Sequence, residues 1–159
     1  MTTASYALGI GSNRRHPRHG APEGVVAAAL AALAAEGIAV RAASTVHRTA
    51  PLGPGGRRYA NAAAVVETAL APPALLAALK AIERRFGRRR GRRWGARVID
   101  LDIMLWSGGA WRSRPLVIPH AGLAHRRFVL DPLVEVAPEW RIPGGGTVRQ
   151  AHARLRAAR

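Results

Sequence analysis

The sequence lacks cysteine and contains very little lysine. With no cysteine, the chain has neither disulfides nor thiolate metal ligands, so a bound metal must be held by oxygen or imidazole. That set of ligands favours magnesium or manganese. The only lysine, Lys80, is followed by Ala81, which excludes a phosphate-binding loop of the Gly-x-x-x-x-Gly-Lys-Ser/Thr type. A dinucleotide-binding fingerprint is also missing, since Gly9-Ile10-Gly11 leads to Arg14 with no helix directly behind it.

Long apolar runs and acidic residues are scarce as well. The longest helical apolar run, Val25 to Ala35, is too short to span a bilayer, and the N-terminus has no basic region followed by an apolar core. We therefore expect a cytoplasmic protein without a membrane partner. Lys and Arg number 25 against 9 Asp and Glu, a formal net charge of +16, so the expected partner is polyanionic. Guanidinium groups suit phosphate, although part of the arginine excess is equally well explained by biased composition.

The predicted elements follow the order strand, helix, strand, strand, helix, strand, and then a C-terminal tail. The strands are predicted over Tyr6 to Ile10, Ile38 to His47, Tyr59 to Thr68 and Val98 to Leu105. The helices begin at Pro22 and Pro72 and end near Gly37 and Gly87. A hairpin through Ser107-Gly108-Gly109 leads from the last strand towards Leu116 to Ile118. The tail is predicted to hold a helix over Val129 to Val136, a turn at Gly144 to Gly146, and a last helix from Thr147. This order predicts an α+β fold, the ferredoxin-like βαββαβ antiparallel sheet with helices on one face, extended by C-terminal elements. Without repeats or long linkers, residues 1–159 are expected to form a single catalytic domain.

Two of the three aspartates, Asp100 and Asp102, lie inside the most apolar predicted strand. Side chains at i and i+2 leave one face of a strand, so both carboxylates point the same way while Ile99, Leu101 and Ile103 face the core. Two like charges at one point cost energy unless a cation lies beside them. Magnesium commonly takes one or two protein carboxylates and fills its other positions with water and phosphate. The pattern therefore favours a magnesium site, and the alternative is a solvated strand face paired with arginines.

An arginine-rich segment precedes this strand. Its basic residues are Arg84, Arg85, Arg88, Arg89, Arg90, Arg92, Arg93 and Arg97, interleaved with glycines and Trp94. Glycines let a backbone close over an anion, guanidiniums bind phosphate in pairs of hydrogen bonds, and tryptophan offers a stacking surface. The segment predicts phosphate binding. A nucleic-acid patch with an aromatic platform would look similar.

His120 follows the predicted strand Leu116 to Ile118, with Arg126 and Phe128 close behind. A lone histidine is usually structural or solvated. Beside an ATP site, however, His120 would donate a hydrogen bond to a phosphate and Arg126 would neutralise developing charge.

The blocks that carry chemistry occur in one order along the chain. They are Gly11-Ser12-Asn13, Arg48-Thr49-x-Pro51-Leu52-Gly53, Tyr59-x-Asn61, Arg88-x-Arg90, Arg93-Trp94-Gly95-x-Arg97, Ile99-Asp100-Leu101-Asp102 and Ile118-Pro119-His120. Together they resemble the 6-hydroxymethyl-7,8-dihydropterin pyrophosphokinases, from Tyr6 to about Pro138. The family's reaction moves diphosphate from Mg-ATP to the hydroxymethyl group of a reduced pterin, releasing AMP, in folate biosynthesis.

The resemblance implies a role for each matched residue. It makes Asp100 and Asp102 the ligands of two magnesium ions that bridge the phosphates of the co-substrate ATP. It assigns ATP binding to Arg88, Arg90, Arg93, Arg97, His120 and Arg126, with Arg88, Arg97, His120 and both aspartates as catalytic residues. It places Thr49, Leu52, Tyr59, Asn61, Trp94 and Phe128 around the pterin. A flat ring with donors and acceptors on its edge suits aromatic side chains and an Asn amide.

One rival function comes from another class. A nucleic-acid-binding module can use the same βαββαβ order and the same positive charge, but its sheet-face aromatics of the Lys/Arg-Gly-Phe/Tyr-Gly/Ala-Phe type do not occur here. We therefore expect ATP and a reduced pterin as partners, no nucleic acid, and a monomer. The chain departs from the family at Ala50, Ala96 and Ala121, where proline is common, and in the basic loop of residues 14–19.

Overall fold

The computed structural model describes residues 2–49, 58–87 and 98–158. An antiparallel sheet of five strands forms its centre. The strands are β1 (Ala4–Ser12), β2 (Ala39–Ala43), β3 (His47–Thr49), β4 (Tyr59–Thr68) and β5 (Asp100–Trp106). Their order is β2-β4-β1-β5, and β3 pairs with β4. This arrangement confirms the ferredoxin-like α+β prediction.

The region expected to be one strand, Ile38 to His47, forms two short strands instead. The break falls at residues 44–46, where a side chain replaces the backbone as a pairing partner. The Ser44 N–H donates to the Ala63 carbonyl, and the Ser44 hydroxyl accepts the Ala63 N–H, both at 2.8 Å. Serine hydroxyls compete with the backbone in this way, so the strand ladder is interrupted here.

Two helices cover one face of the sheet. They are α1 (Pro22–Ala35) and α2 (Pro72–Arg85), and each begins with proline in its first turn, where the missing N–H has no intrahelical partner to lose. Gly37 and Gly87, just past their ends, adopt φ angles of 79° and 98°. Apolar side chains of both helices pack on alternate residues of β1, β4 and β5 and form the larger core. These boundaries agree with the sequence prediction.

The C-terminal helices cover part of the opposite face. After two short strands, β6 (Trp111–Ser113) and β7 (Leu116–Ile118), a 3-10 turn (Leu123–His125) leads into α3 (Arg127–Val136). Strands β8 (Arg141–Ile142) and β9 (Gly146–Thr147) precede α4 (Val148–Ala157). Helix α4 is capped by Thr147, whose hydroxyl accepts the Gln150 N–H while the Gln150 side chain accepts the Thr147 N–H.

The second face has its own core. Its buried members are Ala7, Ala63, Met104, Leu105, Leu123, Val129, Leu130, Leu133, Ala137, Val148 and Ala151. The sheet thus has helices on both faces, whereas the sequence prediction specified one helical face and left the C-terminal elements unplaced. None of the helices in the described part of the chain is long and apolar enough to cross a membrane.

Candidate active site

A row of four residues crosses the second face of the sheet, from β3 through β4 and β1 to β5. His47 lies opposite Asn61, Asn61 opposite Gly11, and Gly11 opposite Asp100. Directly paired residues of antiparallel strands share a face, so the row points one way. Since neighbouring strands lie about 4.8 Å apart, the backbones of Asn61 and Asp100 are separated by roughly 10 Å. The candidate pterin-binding amide and the candidate metal carboxylate therefore belong to one surface.

Two glycines of β1, Gly9 and Gly11, lie between the strands that carry these two groups. A methyl group placed on Gly11 would lie 3.0 Å from Oδ1 of Asn61, and one on Gly9 would lie 2.8 Å from Cε of Met104. Gly9 in turn is opposite Asp102. Glycine inside a strand often marks the close approach of another group. Here it lets the Asn61 amide approach the backbone at Gly11 and the Met104 side chain approach it at Gly9.

Asp100 and Asp102 occupy the first and third positions of β5 and project onto this same face, as the sequence predicted. Asp100 is half-buried and Asp102 is exposed. No group of three or more metal-ligating side chains is found in the described ranges. Two carboxylates that are at least partly exposed nevertheless fit magnesium, because that ion completes its coordination with water and phosphate oxygens.

A β-bulge follows the aspartates and connects β5 to His120. The pairing of β1 with β5 shifts between Ala7 and Leu8, so Met104 is an extra residue on β5. The His120 N–H donates to the Met104 carbonyl at 3.0 Å. This bond attaches the segment after β7 to the strand that carries the aspartates.

The same segment fixes the tautomer of neutral His120. Its Nδ1 accepts the N–H of Gly122 at 3.0 Å. An acceptor at Nδ1 leaves the proton of the neutral ring on Nε2. His120 therefore presents a donor at Nε2, the polarity that a phosphate oxygen needs.

Tyr59 and Phe128 supply exposed aromatic surface near the row. Tyr59, at the start of β4, is opposite Thr49 and is 43% exposed. Phe128, in the first turn of α3, is 44% exposed, and α3 packs against β3 and β4. The guanidinium carbon of Arg126 lies 5.7 Å from the centroid of the Phe128 ring. A candidate ATP contact and a candidate pterin contact thus touch each other.

Six of the predicted site residues lie outside the described ranges. They are Leu52, Arg88, Arg90, Arg93, Trp94 and Arg97. The structure brings together Asn61 and Asp100 through the strand register, Thr49 and Tyr59 through a direct pair, and Arg126 and Phe128 through a cation–π contact. Asp102 and His120 join them through β5.

Sequence reasoning missed a cluster formed by Glu135, Thr45 and His47 at the β3 end of the row. Glu135 of α3 accepts the N–H of Thr45 at 2.9 Å and its hydroxyl at 3.0 Å, and it also pairs with Nε2 of His47. Desolvation raises the pKa of Glu135, but the hydrogen bonds from Thr45 and His47 and the charge of His47 outweigh it and leave that pKa below its usual range. The cluster fastens α3 to the strands that hold Thr49 and Asn61. No local motif in the sequence signals a contact between residues so far apart.

With this geometry in view, the comparison with known families is decisive. The sequence pattern of the 7,8-dihydro-6-hydroxymethylpterin-pyrophosphokinase family, abbreviated HPPK, matches residues 7–138. The chain belongs to the HPPK family. The match contains every candidate site residue and ends just beyond α3.

Curated relatives agree with this membership. A 2-amino-4-hydroxy-6-hydroxymethyldihydropteridine pyrophosphokinase of Methylorubrum extorquens is 43% identical over 96% of this chain and 94% of its own length. One of Pseudomonas putida is 42% identical over 76% of this chain and 96% of its own length. A mitochondrial folate synthesis bifunctional protein of Arabidopsis thaliana is 44% identical over 63% of this chain and 18% of its own length.

Proposed function

We propose that this HPPK transfers the diphosphate group of Mg-ATP to the hydroxymethyl oxygen of 6-hydroxymethyl-7,8-dihydropterin, releasing AMP, as a step of folate biosynthesis. The observation that carries the assignment of the site is the row from Asn61 across Gly11 to Asp100. In this row Asn61, proposed for the pterin edge, and Asp100, proposed for the phosphate side, lie on one surface with Gly11 between them. The family match gives no support to the nucleic-acid-binding alternative.

In the proposed reaction the hydroxymethyl oxygen attacks the β-phosphorus of ATP and the hydroxyl proton is lost to solvent. The bond from the β-phosphorus to the oxygen shared with the α-phosphate breaks, and that oxygen leaves with AMP. Most of the catalysis then consists of positioning and charge stabilisation, because such transfers need little covalent participation by protein groups.

Each described residue has a defined task in this scheme. Asn61 hydrogen-bonds the edge of the pterin, and Tyr59, Thr49 and Phe128 enclose the ring. His120 donates from Nε2 to a phosphate oxygen, and Arg126 neutralises charge where the two substrates meet. Leu52 and Trp94 are proposed to complete the pterin slot. The loop arginines Arg88, Arg90, Arg93 and Arg97 are proposed to bind the phosphates, with Arg88 and Arg97 acting on the reacting group.

We propose that Asp100 and Asp102 hold two magnesium ions. Their carboxylate oxygens match the ligand preference of this cation, and their exposure leaves room for phosphate ligands. The chemistry that bound magnesium supplies is neutralisation of phosphate charge. Three further statements stay predictions: that the protein is a monomer, that it is cytoplasmic, and that it forms a single catalytic domain. Light scattering coupled to size-exclusion chromatography measures the oligomeric state.

The nucleotide product tests the proposed reaction. Incubation with Mg-ATP and the hydroxymethyl dihydropterin should yield AMP in a one-to-one ratio with pterin diphosphate, measured by chromatography. A control without pterin should leave ATP intact. ADP as the stoichiometric product would refute diphosphate transfer, because a simple phosphoryl transfer cleaves the β–γ linkage instead.

A further inference from the structure

A buried carboxylate lies directly behind the two aspartates. Glu83, near the end of α2, is 4% exposed, and it is the one acidic residue in the buried class among the residues that the structure describes. Its Oε2 accepts the backbone N–H of Leu101 at 2.8 Å. Leu101 itself is buried and stands between Asp100 and Asp102.

The strand order explains why this hydrogen bond is possible. β5 is the last strand of the sheet, next to β1, so every second N–H of β5 points away from its only neighbour. The Leu101 N–H is one of these. A buried edge N–H needs an acceptor, and α2 supplies one from the first face of the sheet. The bond therefore holds the peptide group between Asp100 and Leu101, which lies between the two carboxylate-bearing side chains.

A carboxylate is a costly choice for this task. Burial of a charged group is unfavourable unless hydrogen bonds compensate it, and an apolar side chain would pack more cheaply beside Leu79 and Ile82. In return, the Glu83 side-chain oxygen gives the buried Leu101 N–H an acceptor that an apolar side chain cannot supply. The strand segment between the aspartates is therefore attached to α2 by a side-chain hydrogen bond.

We propose that Glu83 is a positioning residue for the metal site. By fixing the Leu101 peptide it sets the direction in which Asp100 and Asp102 leave β5, without contacting the metal or the substrates itself. The inference rests on the proposed function, in which these aspartates hold magnesium. Groups that support metal ligands from behind typically change metal affinity about 10- to 100-fold when they are replaced.

The test compares Glu83→Ala with Glu83→Gln. Alanine removes the acceptor, whereas the amide oxygen of glutamine retains one. Glu36→Gln serves as a matched control. Glu36 follows α1 and pairs on the surface with Arg85, which belongs to α2 as Glu83 does. The magnesium concentration that supports half-maximal binding of a non-hydrolysable ATP analogue is measured by calorimetry. Pterin binding without metal, turnover, and hydrogen exchange of the Leu101 amide are measured in parallel.

For Glu83→Ala we expect faster exchange at Leu101, a magnesium midpoint raised about tenfold or more, and turnover lowered to a similar degree. Metal-free pterin affinity should stay within about twofold, since Asn61 lies two strands away. Glu83→Gln and Glu36→Gln should keep a magnesium midpoint close to wild type. A folded Glu83→Ala protein with wild-type midpoint and turnover would overturn the proposal. If Glu83→Ala does not fold, the Glu83→Gln variant provides the test. Normal protection of the Leu101 amide from hydrogen exchange, together with a strongly raised magnesium midpoint, would show that Glu83 does not act through Leu101.

The same titration on Asp100→Ala and Asp102→Ala separates the two levels of inference. If these variants keep the wild-type midpoint, the proposed metal site itself fails, whatever Glu83 does. If they lose magnesium response while folded Glu83→Ala does not, only the positioning role of Glu83 fails.

Discussion

At the scale of single residues, exposure distinguishes ligand contacts from core packing. Phenylalanine is commonly buried, so core packing is the ordinary expectation for Phe128. The structure leaves this ring 44% exposed, whereas the chain's other phenylalanine, Phe86, is 8% exposed and lies 5.2 Å from the ring of His19. The same residue type therefore occupies two environments in one chain, and composition alone does not tell them apart.

Replacing Phe128 by alanine should weaken pterin binding about tenfold or more, because the ligand loses the apolar surface it covers on binding. Stability should fall by less than about 1 kcal/mol, since the ring is not in the core. Pterin titration and thermal unfolding measure the two effects. Phe86→Ala is the control and should lose about 3 kcal/mol or more of stability. A Phe128→Ala protein that unfolds much more easily but binds pterin normally would contradict the assignment.

A second prediction at this scale concerns Gly11 in the middle of the row. In Gly11→Ala the new methyl group would lie 3.0 Å from Oδ1 of the buried Asn61, so the amide must shift by a few tenths of an ångström. Pterin affinity should fall about fivefold, equivalent to losing one hydrogen bond worth ~1 kcal/mol. Calorimetry without metal measures it. Gly145→Ala, whose methyl group would meet Ile142 at an ordinary 3.6 Å, should bind pterin like wild type. Unchanged pterin affinity in Gly11→Ala would contradict the proposed contact between Asn61 and the pterin.

At the scale of elements, alternation in sequence predicted which faces side chains leave, but not what they meet. The period of two placed Asp100 and Asp102 together, and likewise Tyr59 and Asn61. The partners across strands depend on register, which the loops and the packing of whole faces determine. Glycines at positions 9 and 11 were the available signal, because glycine inside a strand indicates a close approach. No comparable feature of the sequence indicated the β-bulge at Met104 or the break between β2 and β3 at Ser44.

Helix α3 is fastened to the strands of the candidate site through Glu135. The pKa of Glu135 is depressed in the folded protein, so its contribution to stability is present above the unfolded pKa and is lost as pH falls through the folded pKa. Glu135→Gln should therefore lower the thermal midpoint near neutral pH, and the difference from wild type should shrink as pH falls below the ordinary glutamate pKa of about 4.3. Thermal unfolding from pH 7 to pH 3 measures this.

Glu139 provides the comparison for that experiment. It is a surface glutamate paired with Arg149 at 2.9 Å, and surface pairs contribute little. Glu139→Gln should show a small difference that changes little with pH. If the Glu135→Gln difference stayed constant down to pH 3, the ionised form of Glu135 would not be what holds α3.

At the scale of the whole molecule, the two faces of the sheet have separate tasks. The face covered by α1 and α2 holds the larger core and was predictable, because the apolar periods of strands and helices agree with it. The other face combines a smaller core beneath α3 and α4 with the row of candidate site residues. Its arrangement depends on the C-terminal segment folding back, and contacts between distant parts of the chain leave little local trace. The positive charge predicted a polyanionic partner, but the two aspartates within an apolar strand were the feature that indicated a magnesium site.

The most direct test of the account is turnover of Asp100→Ala and Asp102→Ala at saturating magnesium, ATP and pterin, with folding checked by circular dichroism. The chain's remaining aspartate supplies the control: Asp131 pairs with His152 at 2.8 Å between α3 and α4, so Asp131→Ala should lose some stability and keep its turnover. The two site variants should fold, bind pterin without metal, and lose on the order of a hundredfold or more in turnover, because the phosphate charge is no longer neutralised in place. Near-normal turnover in both well-folded site variants would contradict the account.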